Sequence, residues 1–519
     1  MKVSILDCTL RDGGYVNGFR FGVARIRAVL EGLCEANIEM VECGFLRTGH
    51  ADPDCTLYGS VSQIRLPEGR EGRMFLAMVE HGGISVDNIE PRQPGFIDGI
   101  RLSFHNSEWE ATREAAEHLM AKGYQVFIQP IGTVSYTDAE LLALVEEVNE
   151  LRPFAFYIVD TLGSMYRDDL LRMFLLVEHN LGEGIALGFH SHNNLQLSFA
   201  NAMALLGLHT DRHLIVDSSV FGMGRGAGNL NTELIAHYIN SSIEDRYGLA
   251  PLLEIIDDIV LPIYKYAPWG FSEPYYLSAI KGVHPNYASY LIGKRSMNMG
   301  TVMGLLDRLP EADRHLFRKG DIEDVYHAEM SRAVEDSEAV AGLSGMVAGR
   351  DVLVLAPGPS VRERAGDIAG YIRGASPFVV SLNFVPEGIV PDLVFVSNRR
   401  RLAQVEGCGL PLAVTSNVPV AGTPGAYVVD YGSLLEGGAD SGGAMALRLL
   451  ARLGAARAVL AGFDGFTDGM SHYSEGLDGY LDAGTIAALN ASMAAQLADI
   501  AGEIEIGFVT PSPYEGALP

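Results

Sequence analysis

Residues 185–194 read Ile185-Ala186-Leu187-Gly188-Phe189-His190-Ser191-His192-Asn193-Asn194, an apolar run that ends in two histidines one residue apart. Such a run is typical of a buried strand, and on a strand residues two apart face the same side. His190 and His192 are therefore predicted to point together at the strand end. Two imidazoles presented this way suit a divalent metal if a carboxylate joins them. The pair alone is weak evidence for a metal, because exposed or hydrogen-bonded histidines are common.

The carboxylate is predicted to come from the start of the chain. Val3-Ser4-Ile5-Leu6-Asp7 has the pattern of another strand and runs into Cys8-Thr9-Leu10-Arg11-Asp12-Gly13-Gly14. Asp12 is the candidate third metal ligand, and Arg11 would be a fixed cation beside the metal. A turn held by a local salt bridge between these two residues is the alternative.

Short apolar runs alternate with longer amphipathic stretches over the first part of the chain. Eight strands alternating with helices predict an α/β fold, a (β/α)8 TIM barrel. In such barrels the chemistry lies at the C-terminal ends of the strands, where Asp12, His190 and His192 fall. The predicted strands are 3–6, 40–43, 74–79, 97–102, 126–131, 154–159, 185–189 and 214–216, and predicted helices include 108–121, 138–150 and 195–206.

Three motifs in this order resemble the DRE-TIM metallolyases, and most closely their 4-hydroxy-2-oxovalerate aldolase-like branch. They are Asp7-Cys8-Thr9-Leu10-Arg11-Asp12-Gly13-Gly14, His190-Ser191-His192-Asn193-Asn194 and Gly222-Met223-Gly224-Arg225-Gly226-Ala227-Gly228-Asn229-Leu230-Asn231-Thr232-Glu233. The resemblance implies a divalent metal, Mn²⁺ or Mg²⁺ or another divalent ion, on Asp12, His190 and His192. It also implies that Asn229 completes or supports the metal shell.

A metal and a cation side by side suggest a particular chemistry. A 2-oxo acid such as pyruvate can chelate the metal, which then acts as a Lewis acid on developing enolate charge. Arg11 would stabilise the same oxygen. Such an enolate is released when a 4-hydroxy-2-oxo acid is cleaved, and it attacks an aldehyde in the reverse direction.

The Arg11 motif departs from the aldolases at one position. In that family a histidine a few residues after the arginine serves as base, and the matching residue here is Tyr15. An unperturbed tyrosine has a pKa of about 10 and is a poor base at neutral pH. Tyr15 is therefore predicted either to relay a proton or to be replaced in that role by water or another residue.

Other polar residues follow predicted strands and are candidates for substrate binding. An arginine there can hold a carboxylate or phosphate bidentately. The alternative is a polar rim that satisfies backbone groups. The candidates are Glu42, Arg47, Gln129, Asp160, Thr161 and Asn229.

Composition limits the classes of function. At 519 residues the chain is too long for one ordinary core, so more than one domain is expected. Its formal charge of −27 disfavours nucleic acid and anionic membranes as partners. No apolar run approaches the ~20 residues that span a bilayer, and the start lacks a signal-peptide pattern, so a cytoplasmic enzyme is expected. The five cysteines lack C-x-x-C spacing and predict neither a zinc site nor disulfides.

Four regions are predicted along the chain: the barrel at 1–250, a helical extension at 251–335, a linker at 336–349 and a second α/β domain at 350–519. The extension is aromatic and again resembles the aldolase-like branch, in which it helps to close the site. Beyond Lys319 the chain uses only arginine as its long cation, and Ala341-Gly342-Leu343-Ser344-Gly345 indicates a linker. Since barrels of this kind usually pair, a homodimer is expected.

The second domain is predicted to be an open sheet with strands at 351–355, 378–382, 393–396, 412–415 and 458–460, and a helix at 361–373. Its glycine-rich turns resemble Rossmann-like domains of the motility-accessory-factor, pterin-pyrophosphokinase-like and bacterial sialyltransferase-like proteins. This resemblance implies that a nucleotide or nucleotide sugar binds there. The implied contacts are Gly358, Ser360, Asn383 and Asp464, with Arg399 and His472 as further polar candidates.

Taken together, the motifs predict a metal-dependent aldolase that forms or cleaves a 4-hydroxy-2-oxo acid through a pyruvate enolate. The aldehyde could derive from a sugar or nucleotide held by the second domain. One alternative is Claisen-type acyl transfer from acetyl-CoA. Another is a nucleotide-sugar binding or transfer module with a vestigial barrel. The complete set of Arg11, Asp12, His190 and His192 favours an active barrel.

Overall fold

A computed structural model describes residues 2–294, 297, 299–310, 314, 316–330, 333–418, 420, 425–435, 441–466 and 483–518. The chain forms two compact units. One contains Met1–Ser289 and Glu311–Phe317, and the other contains Tyr290–Pro310 and Arg318–Pro519. Among the described residues, no helix combines the length and the apolar character needed to cross a membrane.

The first unit is a closed parallel barrel, as the alternating pattern predicted. Within the fully described stretch 2–294, eight strands pair in chain order, and the last pairs with the first. Closure joins the first two strands at Leu6↔Met40 and Asp7↔Val41. A short extra strand, Leu57–Tyr58, lies beside the second. The barrel strands are β1 (Lys2–Asp7), β2 (Met40–Leu46), β3 (Met74–Glu80), β4 (Gly99–Phe104), β5 (Gln125–Pro130), β6 (Ala155–Asp160), β7 (Ala186–Ser191) and β8 (His213–Ser218).

Because every strand runs in the same direction, the C-terminal ends meet at one mouth. Apolar side chains, including Leu76, Phe127 and Ile215, fill the lower interior. Near the middle of β7, Gly188 makes room for the ring of Tyr157, since a Cβ at Gly188 would lie 2.3 Å from ring carbons. The barrel therefore has a packed floor that carries polar groups only towards its mouth.

Amphipathic helices surround the barrel. The helix Asp138–Leu151 begins in a capping box, in which Thr137 and Glu140 satisfy each other's backbone N–H groups, and it buries Leu141, Leu144 and Val148. The helices of this region are Gly14–Asn17, Val23–Glu35, Trp109–Ala121, Asp138–Leu151, Arg167–Asn180, Ser198–Leu206, Thr232–Ser242, Leu249–Ile255, Leu261–Tyr264, Glu273–Lys281 and Pro285–Gly293, with a π turn at Ile256–Val260. Short 3₁₀ turns lie at Val61–Gln63, Val86–Asn88, Asn106–Glu108, Thr133–Ser135 and Val220–Gly222.

The segment expected to be a linker at 336–349 differs from the prediction, because it contains the helix Ser337–Val347. Leu343 and Val347 are fully buried. Asp336, just before the helix, binds both guanidinium nitrogens of Arg452 at 2.7 Å. Small residues suggested a flexible connection, but here they allow close packing. The expected extension at 251–335 is likewise divided between the two units.

The second unit contains an open sheet, as predicted. Among its described residues, seven strands are all parallel, in the order β13-β12-β11-β10-β9-β14-β15. The strands are β9 (Asp351–Leu355), β10 (Phe378–Leu382), β11 (Leu393–Val396), β12 (Leu412–Thr415), β13 (Tyr427–Val429), β14 (Arg457–Ala461) and β15 (Glu505–Phe508). Its helices are Met299–Asp307, Lys319–Met330, Ser337–Val347, Ser360–Glu363, Ala365–Ala375, Arg399–Val405, Gly442–Arg452 and Ala483–Ile500, with 3₁₀ turns at Gly432–Leu434 and Glu515–Ala517.

The two strands that sequence patterns did not predict, β13 and β15, are the edges of this sheet. Their side chains are largely half-buried, so they lack the strongly apolar runs of the central strands. The sheet order reverses between β9 and β14, where the loops after neighbouring strands lead to opposite sides. Such a reversal opens a crevice at the carboxyl ends of the strands.

Candidate active site

Asp12, His190 and His192 lie together at the barrel mouth. All three are buried, and one potential ligand atom from each falls within 4.8 Å of the others. Asp12 Oδ2 is 3.3 Å from His192 Nε2 and 3.8 Å from His190 Nε2. Among the described residues, Asp12 Oδ2 has no well-aligned hydrogen bond despite its burial. A carboxylate and two imidazoles around an unsatisfied oxygen fit a divalent metal.

The other nitrogen of each imidazole lies close to a protein oxygen, although the geometry at His190 Nδ1 is not that of a well-aligned hydrogen bond. His192 Nδ1 lies 2.7 Å from the carbonyl oxygen of Thr161, and His190 Nδ1 lies 3.0 Å from a carboxylate oxygen of Asp217. A carbonyl can only accept, so His192 carries a proton on Nδ1, and its Nε2 faces Asp12. Burial lowers the pKa of His190, which favours the neutral imidazole. This is the protonation pattern of metal-binding histidines.

Arg11 is held in place by two carboxylates. Its Nε donates to Glu42 Oε2 at 2.7 Å, and its Nη1 lies 3.2 Å from Asp12 Oδ1. Among the described residues, its remaining nitrogen, Nη2, is buried without a hydrogen bond. The Arg11 guanidinium lowers the pKa of Asp12, although burial alone would raise it. Arg11 is therefore an oriented cation with one free donor.

Glu42 was predicted to bind substrate, but it lies behind Arg11 and does not line the cavity. Its carboxylate accepts from Arg11 and, at 2.8 Å, from Arg101 Nη1. Arg101 also donates to Asp217, the partner of His190. The aromatic ring of Tyr157 lies 4.9 Å from the Arg101 guanidinium carbon. A continuous ionic network thus connects the Arg11 cation to His190, a candidate metal ligand.

This network has an uneven charge. Its two guanidiniums, Arg11 and Arg101, face three carboxylates, those of Asp12, Glu42 and Asp217. All five side chains are nine-tenths or more buried. One negative charge is left over, and an uncompensated buried charge is costly. A divalent cation followed by a monoanionic ligand would bring the total to neutrality.

Tyr15 lies at the rim of the cavity and donates to Glu80 Oε1 at 3.0 Å. Glu80 ends β3 and also binds Arg47 Nη2 at 2.5 Å. Burial and the nearby Glu80 charge raise the pKa of Tyr15 above its ordinary value. Tyr15 is therefore a protonated donor at neutral pH. Arg47, predicted to bind substrate, is paired with Glu80 and stacks on Phe45 outside the cavity lining.

The remaining predicted contacts divide between the cavity and its frame. Gln129 and Thr161 line the cavity. Asp160 instead accepts backbone N–H bonds from Ser164 and Met165, so it holds the loop after β6. The backbone of Asn229 pairs with that of His192. The Asn229 side chain is buried beside Cys8 and Ser219 outside the cavity lining.

The cavity has a volume of about 100 Å³. Sequence reasoning missed several of its lining residues, although the rule that barrel chemistry follows strand ends identifies Glu80 and Ser103. Asp217, at the end of β8, follows the same rule. The cavity is lined by Arg11, Asp12, Tyr15, Phe45, Met78, Glu80, Ser103, Gln129, Ile131, Val159, Thr161, His190, His192 and Arg225.

A second cavity, of about 290 Å³, lies at the sheet reversal of the second unit and is lined in part by Gly358, Asn383 and Asp464. The helix start at Ser360 already has an anion, because Asp464 accepts from the Ser360 backbone N–H at 2.8 Å and from its hydroxyl at 2.5 Å. Ser360 does not line the cavity. Nucleotide binding here stays a prediction. His472 and the Arg399 side chain lie outside the described parts of the chain.

Known proteins with similar sequences include several lyases and aldolases. A family model described as HMGL-like matches residues 104–258, which include His190, His192 and Asp217. The 4-hydroxy-2-oxovalerate aldolase of Thermomicrobium roseum is 26% identical over 51% of this chain and 74% of its own length. The 4-hydroxy-2-oxovalerate aldolase 2 of Salinispora arenicola is 26% identical over 63% of this chain and 98% of its own length. The oxaloacetate decarboxylase of Mycobacterium tuberculosis is 26% identical over 44% of this chain and 68% of its own length.

Two enzymes are among the solved structures that match part of this chain. The carboxyl transferase domain of Rhizobium etli pyruvate carboxylase has a TM-score of 0.49 and 15% identity, covering 66% of this chain and 65% of that chain. The HMG-CoA lyase of Brucella melitensis has a TM-score of 0.39 and 16% identity, covering 51% of this chain and 99% of that chain. The sequence relatives support the general lyase or aldolase class for the barrel unit.

Proposed function

We propose that this chain is a divalent-metal-dependent aldolase that forms or cleaves a 4-hydroxy-2-oxo acid through the enolate of pyruvate. The observation that carries the proposal is a set of unsatisfied polar atoms around one small cavity. Among the described residues, Asp12 Oδ2, Arg11 Nη2, Ser103 Oγ and Gln129 Nε2 are buried there without hydrogen bonds. Buried polar groups normally have partners, and the grouping of these four around one cavity supports a ligand as the partner here.

The donors match the acceptors of a 2-oxo acid. Such a molecule has two carboxylate oxygens and one keto oxygen, all of which accept hydrogen bonds. Arg11, Ser103 and Gln129 supply donors at the cavity wall. The leftover negative charge of the network explains why a cation accompanies the acid. Asp12, His190 and His192 would hold a divalent metal, which when bound supplies Lewis-acid polarisation of the keto group.

Arg11 is proposed to stabilise the enolate. Its Nη2 donor is free and its direction is set by the bonds to Glu42 and Asp12. When the C3–C4 bond of the substrate breaks, its electron pair moves towards C2 and the keto oxygen gains negative charge. A preorganised guanidinium in a buried site stabilises that charge more than it stabilises the neutral ketone.

Tyr15 and Glu80 are proposed to handle the proton. During cleavage, the C4 hydroxyl loses its proton as the aldehyde forms. The Tyr15 hydroxyl is protonated and donates its hydrogen bond to Glu80. As the phenol oxygen accepts the proton from the C4 hydroxyl, the proton that Tyr15 already carries moves to the Glu80 carboxylate. In the reverse direction Tyr15 donates to the new alkoxide. This pair takes the place of the histidine that the sequence lacks at position 15.

The test is exchange of the pyruvate methyl protons with deuterium, followed by NMR. Metal-stripped protein is assayed with and without Mn²⁺ or Mg²⁺, and Mn²⁺ binding is measured separately by electron paramagnetic resonance. We expect metal-dependent exchange that Asp12→Asn abolishes together with Mn²⁺ binding. Absence of exchange in metal-loaded wild-type protein, with and without an aldehyde, would refute the aldolase proposal.

Oxaloacetate is a second candidate substrate. The relative from Mycobacterium tuberculosis is named an oxaloacetate decarboxylase. Loss of CO₂ from a 2-oxo acid of this kind leaves the same pyruvate enolate, so the proposed role of Arg11 is unchanged. Aldol cleavage, unlike decarboxylation, requires a group that removes the C4 hydroxyl proton. Tyr15→Phe therefore separates them, because it should slow aldol cleavage much more than oxaloacetate decarboxylation.

For the second unit, we propose that the cavity at the sheet reversal receives the nucleotide or nucleotide sugar that the sequence implies. Its support is the position of Gly358 and Asn383 at the carboxyl ends of neighbouring strands. Asp464 has taken the expected phosphate position at Ser360. Calorimetric titration of CMP, UDP and GDP derivatives into the full chain tests this proposal, and no heat from any of them would count against it.

A further inference from the structure

Arg225 is a cavity-lining cation that the proposed reaction does not yet use. It lies in the loop after β8 and lines the same cavity as Arg11 and the metal-ligand residues. Its guanidinium carbon is 5.6 Å from the centroid of the Tyr15 ring. Arg225 is half-buried whereas Arg11 is nine-tenths or more buried, so Arg225 lies at the outer part of the cavity.

The loop that carries Arg225 has a defined shape. Gly228 has a φ of +83°, and a Cβ there would lie 2.2 Å from the Gly222 carbonyl oxygen. The Ala227 N–H donates to Asn194 Oδ1 at 3.0 Å, and the Asn193 N–H donates to the Gly228 carbonyl at 2.8 Å. The loop is therefore fastened to the segment that directly follows His192. Arg225 is positioned by the same framework as the metal ligands.

The charge of Arg225 is uncompensated. The other arginines near the cavity have carboxylate partners: Arg11 binds Glu42 and Asp12, and Arg47 binds Glu80. Among the described residues, the Arg225 side chain forms no ion pair and no hydrogen bond, and its guanidinium lies over the Tyr15 ring. In a chain with a formal charge of −27, a lone guanidinium directed into a cavity is a binding site for an anion.

We propose that Arg225 selects an aldehyde co-substrate with an anionic group at its far end. This inference rests on the proposed aldolase function and extends it to the class of the second substrate. Arg11 serves the 2-oxo acid beside Asp12, and Tyr15 serves the aldehyde oxygen. Arg225, whose guanidinium lies over the Tyr15 ring, binds the carboxylate or phosphate at the opposite end of the aldehyde. A planar guanidinium binds either group through two parallel hydrogen bonds.

The test compares charged aldehydes with neutral counterparts in pyruvate addition. Succinic semialdehyde is paired with its methyl ester, and glyceraldehyde 3-phosphate with glyceraldehyde, so the two pairs separate carboxylate from phosphate recognition. The readout is the charged-to-neutral ratio of kcat/KM. We expect a ratio of at least ten for one pair in the wild type, lowered at least tenfold by Arg225→Gln. Arg225→Lys should keep part of the preference because it retains the charge.

Arg113→Gln is the matched control, since Arg113 lies on the outer helix Trp109–Ala121 with three carboxylates at 3.5 to 3.8 Å. It should leave the ratio at the wild-type value. The inference is overturned if pyruvate exchange occurs but neither charged aldehyde is preferred or turned over. It is also overturned if Arg225→Gln leaves the ratio intact. If pyruvate exchange itself is absent, the aldolase proposal fails first and this inference falls with it.

Discussion

Arg101 is the most revealing residue to perturb, because it joins the two halves of the site without touching the cavity. It is fully buried, it donates to both Glu42 and Asp217, and it stacks on Tyr157. Arg101→Met keeps much of the side-chain length and removes the charge. Glu42 then keeps one of its two arginine partners, and Asp217 loses its arginine partner.

The expected cost follows from burial. Removal of one partner from a buried ion pair costs about 3–5 kcal/mol, because a charge is left uncompensated. Each 1 kcal/mol lowers Tm by about 2–4 °C in a domain of this size class. We therefore expect the barrel unit of Arg101→Met to unfold roughly 6–20 °C below the wild type.

Differential scanning calorimetry of the full chain measures this shift. Arg92→Met is the matched control, since Arg92 forms a 2.6 Å pair with Asp98 but its side chain is 40% exposed. Exposed pairs contribute about 0–1 kcal/mol, so the control should move Tm by only a few degrees. A shift no larger than that of the control would refute the claim that Arg101 compensates two buried carboxylates. Intact Mn²⁺ affinity would further show that His190 does not depend on the network.

Two further predictions concern the carboxylates. Asp217→Asn should weaken Mn²⁺ binding by roughly 10–100-fold, because His190 loses the carboxylate that orients it; unchanged affinity measured by electron paramagnetic resonance in a folded variant would contradict this. Burial raises the pKa of Asp160 to about 6 in the folded state, so between about pH 4 and 6 the folded chain holds this proton more tightly than the unfolded chain does. Its contribution to the free energy of unfolding is therefore present at low pH and lost as pH rises from about 4 through 6. Urea unfolding across that range should show this loss relative to Asp160→Asn, and a parallel pH profile for the two proteins would argue against it.

Much of the fold was predictable from local patterns. All eight barrel strands and the five central strands of the second sheet occur within a few residues of their predicted positions. Central parallel strands are buried on both faces, so they produce apolar runs that a sequence displays directly. The edge strands β13 and β15 do not, and the small residues of Ser337–Val347 suggested a linker where a packed helix exists.

The clustering of Asp12, His190 and His192 was also predictable, because the two histidines share one strand face and Asp12 follows a strand of the same barrel. Closure of the barrel brings these distant segments to one mouth, as the architecture requires. The residue types and the strand positions of Asp12, His190 and His192 can be read directly from the sequence. The sequence by itself therefore determined the barrel and the meeting of these three residues at its mouth.

Only the tertiary structure decided how those residues are supported. Arg101 is 59 residues from Glu42 and 116 from Asp217, so no local pattern links them. Glu42 and Asp160 looked like substrate contacts but hold other parts of the site. In the sequence, Arg225 looks like an ordinary exposed arginine in a glycine-rich loop. The structure places its guanidinium over the Tyr15 ring. Ion pairing depends on distances across the barrel, which only closure of the sheet sets.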